Sequence, residues 1–530
     1  MPGQRYIRLF TEPPKRNCNW EKVEKDVEDA LRQNVQKVQQ MMGARDGQGK
    51  RESIYLGDVG IAFMEMSIAQ VRRVLSEPEE DDDVLSSKVL SSLSDRHLSS
   101  LIQEASLTPR NIRDGAHLSF LETPVGIATL VLKKYPLGGN QAFVDAPWQK
   151  CRDFLLRGVE VTMEDDRNFG EDDDGCEVLY GRAGFLYALL FLRNFVCQKD
   201  GGGDGGKLDE DIKSCRELLS DATLQKVVHS IIRRGRNGAK TYRFEFGTAK
   251  SPPLIWAWHT KRYLGGAHGA AGILQMLLSC PFSIISSYMP EIVQTIDWLV
   301  CVQDRVGNWS TRAPDLNQTT SGENDLVQWC HGAPAMLILL STILRMSVTP
   351  GVTTGMTEKQ QERFVVSLQR GCAHVYMRGL LRKGVGLCHG VAGSVYALLA
   401  ASGILDEASH TSSSDAPDST TPKPPQERFA PYFTQAAHLA HQATFAGSLT
   451  GKGEMKTPDH PWSLYEGIDR FCVRVCLDMM TLVDWYIKSG CFWFETPCVS
   501  CAVSAATSTS RTSPTRHRIL FRTDLYSRKL

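Results

Sequence analysis

The chain has 530 residues, 42% apolar and 23% charged, with 60 Lys and Arg against 60 Asp and Glu. That profile fits a soluble globular protein with a large core. Zero net charge argues against a dedicated nucleic-acid binder, which needs an excess of Lys and Arg on one face.

The first residues, Met1 to Arg5, lack the apolar centre of a secretory signal. No apolar run approaches the ~20 residues of a membrane span. The expected compartment is the cytosol, where the 15 Cys stay reduced.

Trp20 to Met42 carries apolar residues at three- and four-residue steps and reads as an amphipathic helix. A Gly-containing turn follows at Leu56 (LGDVGIAFMEM) and opens an apolar segment of helical length. The same turn recurs at Leu121 (LETPVGIATLVL), Tyr180 (YGRAGFLYALLFL), Ala267 (AHGAAGILQMLL), Cys330 (CHGAPAMLILL) and Cys388 (CHGVAGSVYALLA). A weaker copy begins at Leu464 (LYEGIDRFC), with Gly467 at its first position and Arg470 at its fourth.

The copies lie roughly 60–90 residues apart, enough for two helices and a connection. The segments after the turns are apolar on nearly all sides and read as buried helices. Those between, such as Glu358 to Leu381, are amphipathic. One outer and one inner helix per unit cannot bury its faces alone, but several units can as a closed ring. Gly at each helix mouth allows positive φ and close backbone approach.

The excursions from this repeat are polar. Glu77 to Asp83 and Glu164 to Asp174 are acidic loops, and Asp200 to Gly206 is a Gly-rich linker. His410 to Glu427 reads as a disordered insertion, and Ser504 to Arg518 as a disordered tail.

Three inner-helix mouths carry chemistry: His268, the pair Cys330 and His331, and the pair Cys388 and His389. A single Cys or His is ordinarily a packed or satisfied residue. Repetition at equivalent positions is harder to explain that way. It gathers thiols and imidazoles at one end of the ring, and these are the ligands Zn²⁺ prefers.

Five segments resemble the eukaryotic lanthionine synthetase C-like proteins: YGRAGFLYALLF, YLGGAHGAAG, DLVQWCHGAP, KGVGLCHGVAG and TPDHPWSLYEG. The resemblance runs from about residue 50 to about residue 467. It implies an all-α fold, an α/α toroid of about seven inner and seven outer helices, with one zinc ion at one end of the cavity. It also implies addition of glutathione to dehydroalanine or dehydrobutyrine in proteins, as by a glutathione transferase.

By motif, the implied zinc ligands are Cys330, Cys388 and His389. His268 and His331 are the implied proton-transfer residues, His268 being preferred. Glutathione has two carboxylates, and the implied basic contacts are Lys383, Lys456 and Arg5. Lys456 stands where the family usually has Arg, which keeps the charge but loses a bidentate fork. The implied partners are glutathione and proteins or peptides containing dehydroamino acids. Arg182 receives no chemical role, and Trp329 and Tyr263 read as packing residues.

The toroid is expected over 1–467. Residues 468–530 depart from the family pattern and carry Cys472, Cys476, Cys491, Cys498 and Cys501, whose spacing supports no second metal site. This stretch is either real divergence or wrongly translated sequence, the second being the reading we favour, and it puts closure of the ring in question. A different class of function is a zinc-stabilised scaffold that binds glutathione or a signalling partner without catalysis. A glycan-processing barrel ranks low, because it needs two carboxylates at the site and the acidic runs here lie in loops.

Overall fold

The computed structural model describes residues 4–11, 20–44, 52–75, 83–104, 107–112, 114–165, 175–200, 210–247, 251–313, 326–411 and 431–467. The acidic stretches at 77–82 and 166–174, the linker at 201–206, most of the insertion and the whole stretch from 468 onward lie outside them.

Six helices follow the Gly turns: α2 (Asp58–Leu75), α4 (Val125–Lys134), α6 (Arg182–Asp200), α9 (Ala270–Leu278), α12 (Ala333–Val348) and α14 (Val391–Thr411). They pack in chain order, each against the next. Every residue of α9 is buried, and so is every residue of α4 except the last. That all-round burial is the counterpart of their nearly uniform apolar sequence.

A second layer surrounds them: α1 (Trp20–Ala44), α3 (Ser87–Glu104), α5 (Trp148–Asp165), α8 (Asp221–Phe246), α11 (Met289–Cys301), α13 (Glu358–Arg378) and α15 (Pro431–Ala443). The shorter α7 (Glu210–Leu218), α10 (Phe282–Ile285) and α16 (Ala446–Gly451) fill between them. These outer helices are amphipathic. In α13, Phe364, Leu368, Cys372 and Val375 face the core, and Thr357 and Gln360 form a capping box at its start. One continuous apolar core runs from Ile7 to Tyr465. Among the described residues there is no strand, only three isolated bridges.

The ring closes. Backbone hydrogen bonds run from turn to turn: Tyr55 to Leu121 (3.0 Å), Leu118 to Tyr180 (2.8 Å), Val178 to Ala267 (3.0 Å) and Gly266 to Trp329 (3.0 Å). They continue from Cys330 to Cys388 (3.1 Å), from Cys388 to Tyr465 (2.9 Å) and from Tyr465 back to Tyr55 (3.4 Å), the first-named residue donating throughout. Tyr55 and Tyr465 also stack, with ring centroids 5.1 Å apart. The atypical seventh turn therefore completes the circle at this mouth. Residues 464–467 bridge the sixth and first turns, while the inner helix expected after the seventh turn would fall at 468 onward, outside the described residues.

The glycines serve close approach more than positive φ. A Cβ on Gly60, Gly126, Gly184, Gly272 or Gly393 would strike the carbonyl oxygen six residues earlier, in the loop that enters each turn. Of the repeated turn glycines only Gly332 has positive φ, at 108°. Gly272→Ala drives its methyl into the Gly266 carbonyl, so we expect a loss of about 2–4 kcal/mol. Urea denaturation reads this directly, and an unchanged midpoint would remove the explanation.

Candidate metal and active site

The turns set their side chains around one mouth. Cys330 and Cys388 enter it from successive turns joined by the Cys330 to Cys388 backbone hydrogen bond. His389 follows on the same turn. The donor atoms of Cys330, Cys388 and His389 lie within 4.8 Å of one another, and all three residues are buried. Among the described residues no other Cys, His, Asp and Glu group of three or more gathers closely enough to hold an ion. Two thiols and one imidazole at this separation fit a tetrahedral zinc with one position left open.

Burial first, and then the neighbouring Cys330 thiol, push the Cys388 thiol well above its ordinary value. Burial therefore keeps the Cys388 thiol protonated unless a cation takes the place of its proton. The amide of Gln328 donates to the Cys330 sulfur at 3.1 Å. Tyr55 adds its phenol beside Cys388, and burial followed by that thiol raises it far above the usual phenol range, so it remains a donor. Its hydroxyl also reaches the Glu466 carboxylate at 3.5 Å, which stands 4.0 Å from His389 Nε2.

The two candidate proton-transfer histidines occupy different surroundings. His268 Nδ1 lies 3.0 Å from Glu177 Oε2, and the Glu177 side chain is 1% exposed. Glu177 is itself fixed by the backbone N–H groups of Leu179 (2.7 Å) and Tyr180 (2.5 Å). A carboxylate accepts, so Nδ1 carries the hydrogen of this bond and Nε2 is the ring's other nitrogen. His331 is different. Its Nδ1 is buried with no hydrogen-bond partner among the described residues. Burial first, then His268, Arg312 and His389, lower its pKa to about 4, so it is neutral at neutral pH.

The three expected glutathione contacts come from distant parts of the chain and meet at one edge. The N–H of Arg382 bonds to the Arg5 carbonyl (3.0 Å), and the N–H of Lys456 to the Arg382 carbonyl (2.6 Å). Lys383 follows directly and forms an exposed ion pair with Asp459 at 3.5 Å. Arg5 and Lys456 are exposed too. The N-terminal segment thus lies across the start of the Cys388 turn, with Tyr6 bridged to Leu381.

Arg182 is buried, and its Nη1 donates to the Gly175 carbonyl at 2.8 Å, a structural clamp. Trp329 is buried between turns, as a packing residue should be. Tyr263 packs beside both histidines, its ring 5.9 Å from that of His268 and 5.6 Å from that of His331. Tyr55, Glu177 and Glu466 were not picked out as site residues from sequence. Glu177 stands just ahead of the third turn and Glu466 inside the seventh, so their position in the repeat was the available signal.

The family model of the lanthionine synthetase C-like proteins matches residues 49–468. The chain belongs to this family. Among curated relatives, the zebrafish (Danio rerio) protein named glutathione S-transferase LANCL1 is 25% identical over 296 residues, 55% of this chain and 56% of its own length. The LanC-like protein GCL1 of Arabidopsis thaliana is 29% identical over 293 residues, 53% of this chain and 54% of its own length. The matched stretch therefore spans about half the length of these family relatives. A solved structure of nisin cyclase aligns with a TM-score of 0.47 and 13% identity, over 86% of this chain and 96% of the cyclase. No helix among the described residues is long and apolar enough to cross a membrane.

Proposed function

We propose that this protein adds the thiol of glutathione to dehydroalanine or dehydrobutyrine residues in proteins or peptides, using one zinc ion. The observation that carries the reading is the buried Cys330, Cys388 and His389 cluster at the ring mouth. A relative named as a glutathione S-transferase supports it. A zinc ion held by these ligands supplies the positive charge that keeps a substrate thiol ionised at neutral pH.

The chain's own residues would do the rest. Arg5, Lys383 and Lys456 would take the two carboxylates of glutathione from the edge of the mouth. In the reaction a C–S bond forms at the β-carbon, and the alkene electron pair moves toward the α-carbon and its carbonyl. His268, oriented by Glu177, delivers the proton to the α-carbon. The proton of the incoming thiol goes to solvent and solvent returns one to His268, so the addition balances with no oxidant or leaving group.

The test uses purified protein, glutathione and a dehydroalanine-containing peptide, read by mass spectrometry. One glutathione gained per dehydroalanine, with the gain lost on chelation and restored by zinc, is the expected result. Bound glutathione with no adduct overturns the catalytic reading and favours a scaffold.

A further inference from the structure

We infer that the aromatic ledge of Tyr180, Trp258 and Tyr263 beside His268 is the subsite for the second substrate, and that it selects the flat, unsaturated residue over ordinary ones. This rests on the proposed reaction and names the surface on which its acceptor lies.

Three rings share one orientation here. Trp258 and His268 are 2° apart in plane with centroids at 5.7 Å. Tyr180 lies 10° from Trp258 at 5.6 Å and 9° from His268 at 6.2 Å. They are offset rather than sandwiched, so a flat group laid on one is parallel to all. All three are partly exposed. Tyr263 adjoins both His268 and His331, and the Arg312 guanidinium sits 5.7 Å from its ring centroid. The ledge flanks the candidate proton donor, whereas the basic edge of Arg5, Lys383 and Lys456 belongs to the turn that carries Cys388.

The backbone that presents Trp258 is strained. His259 and Thr260 have φ of 48° and 63°, and Trp258 bridges to Lys261 across them. Such turns favour Asn and Gly, and a β-branched Thr with positive φ is an outlier. Strain of this kind is held in place by its surroundings and gathers at functional sites. Here the strained pair directly follows Trp258, whose indole lies parallel to the His268 imidazole.

The chemistry of the acceptor matches the ledge. In a dehydroamino acid the α-carbon is trigonal, so the alkene, the carbonyl and the flanking amide lie in one plane. That unit offers a π-face to stack on an aromatic ring. A saturated residue has a tetrahedral α-carbon and cannot lie flat on the same surface. Discrimination therefore begins at binding, before the thiol adds.

The experiment compares two peptides that differ only in dehydroalanine against alanine, titrated without glutathione onto full-length zinc-loaded protein. The wild type is expected to prefer the dehydroalanine peptide by roughly tenfold. Trp258→Ala is expected to erase that preference, and Trp258→Phe to restore most of it, with zinc content and glutathione affinity unchanged in both. Equal affinity of the wild type for the two peptides, or a preference that survives in Trp258→Ala, overturns the ledge. If the preference follows Trp258 but no adduct forms with glutathione, the ledge stands and the proposed reaction falls. If adduct forms with no dependence on Trp258, the reverse holds.

Discussion

Replacing Cys388 by Ala is expected to abolish metal retention and to reduce adduct formation by at least ~100-fold. Cys388 is buried, its donor atom lies within 4.8 Å of those of Cys330 and His389, and two ligands do not hold zinc as three do. Atomic emission on the purified protein should fall from one zinc per chain to almost none. Cys372→Ala is the matched control. That thiol is equally buried, but it sits on α13 outside the metal cluster. It is expected to lower stability by creating a cavity while leaving zinc in place. Equal zinc in Cys388→Ala and wild type would sink the ligand assignment.

The second large effect is expected at His268. Loss of a positioned general acid costs about 10²–10⁴ in rate, so His268→Ala should lower kcat by that order with zinc content unchanged. Glu177→Gln tests how the imidazole is held. The carboxylate accepts from the Leu179 and Tyr180 backbone and from His268, and an amide can satisfy only part of this. Its kcat is expected to drop about 10–100-fold while the KM for glutathione stays near wild type. Full activity in His268→Ala shifts the role to another donor. A KM effect at Glu177 without a kcat effect would remove its positioning role.

The ring was legible because the Gly turn recurs, and each copy marks the mouth of a buried helix. The metal candidates were legible for the same reason: Cys330 and Cys388 occupy one position in successive repeats. The repeat says less about the loop that enters each turn. Glu177 and Tyr55 come from those loops, and their roles depend on how neighbouring turns dock. The Trp258 hairpin was hidden for a local reason. His259 and Thr260 adopt positive φ without the Asn or Gly that announces such a turn. Of the two uses expected for the turn glycines, close backbone approach is the one most of them serve, because a carbonyl oxygen from the preceding loop fills the place of a Cβ. Basic residues at 5, 383 and 456 could be nominated only through the family, since nothing in sequence brings the N-terminal segment onto the Cys388 turn.

The closing link between the seventh and first turns bears on how the chain reaches its fold. Tyr55 and Glu466 touch across 411 residues of sequence, while most other turn-to-turn contacts join neighbouring repeats. Assembly can therefore spread from repeat to repeat by local steps, but the last step waits for a distant partner and carries the largest loop-closure entropy. Until it happens, the chain is an open arc whose first and last turns lack the backbone partners they share in the circle. During synthesis the Cys330, Cys388 and His389 ligands emerge before residue 465, so the cluster can form on an arc that has not yet become a circle. Slow maturation is the expected behaviour of such a chain, with aggregation of the open arc as its competing fate.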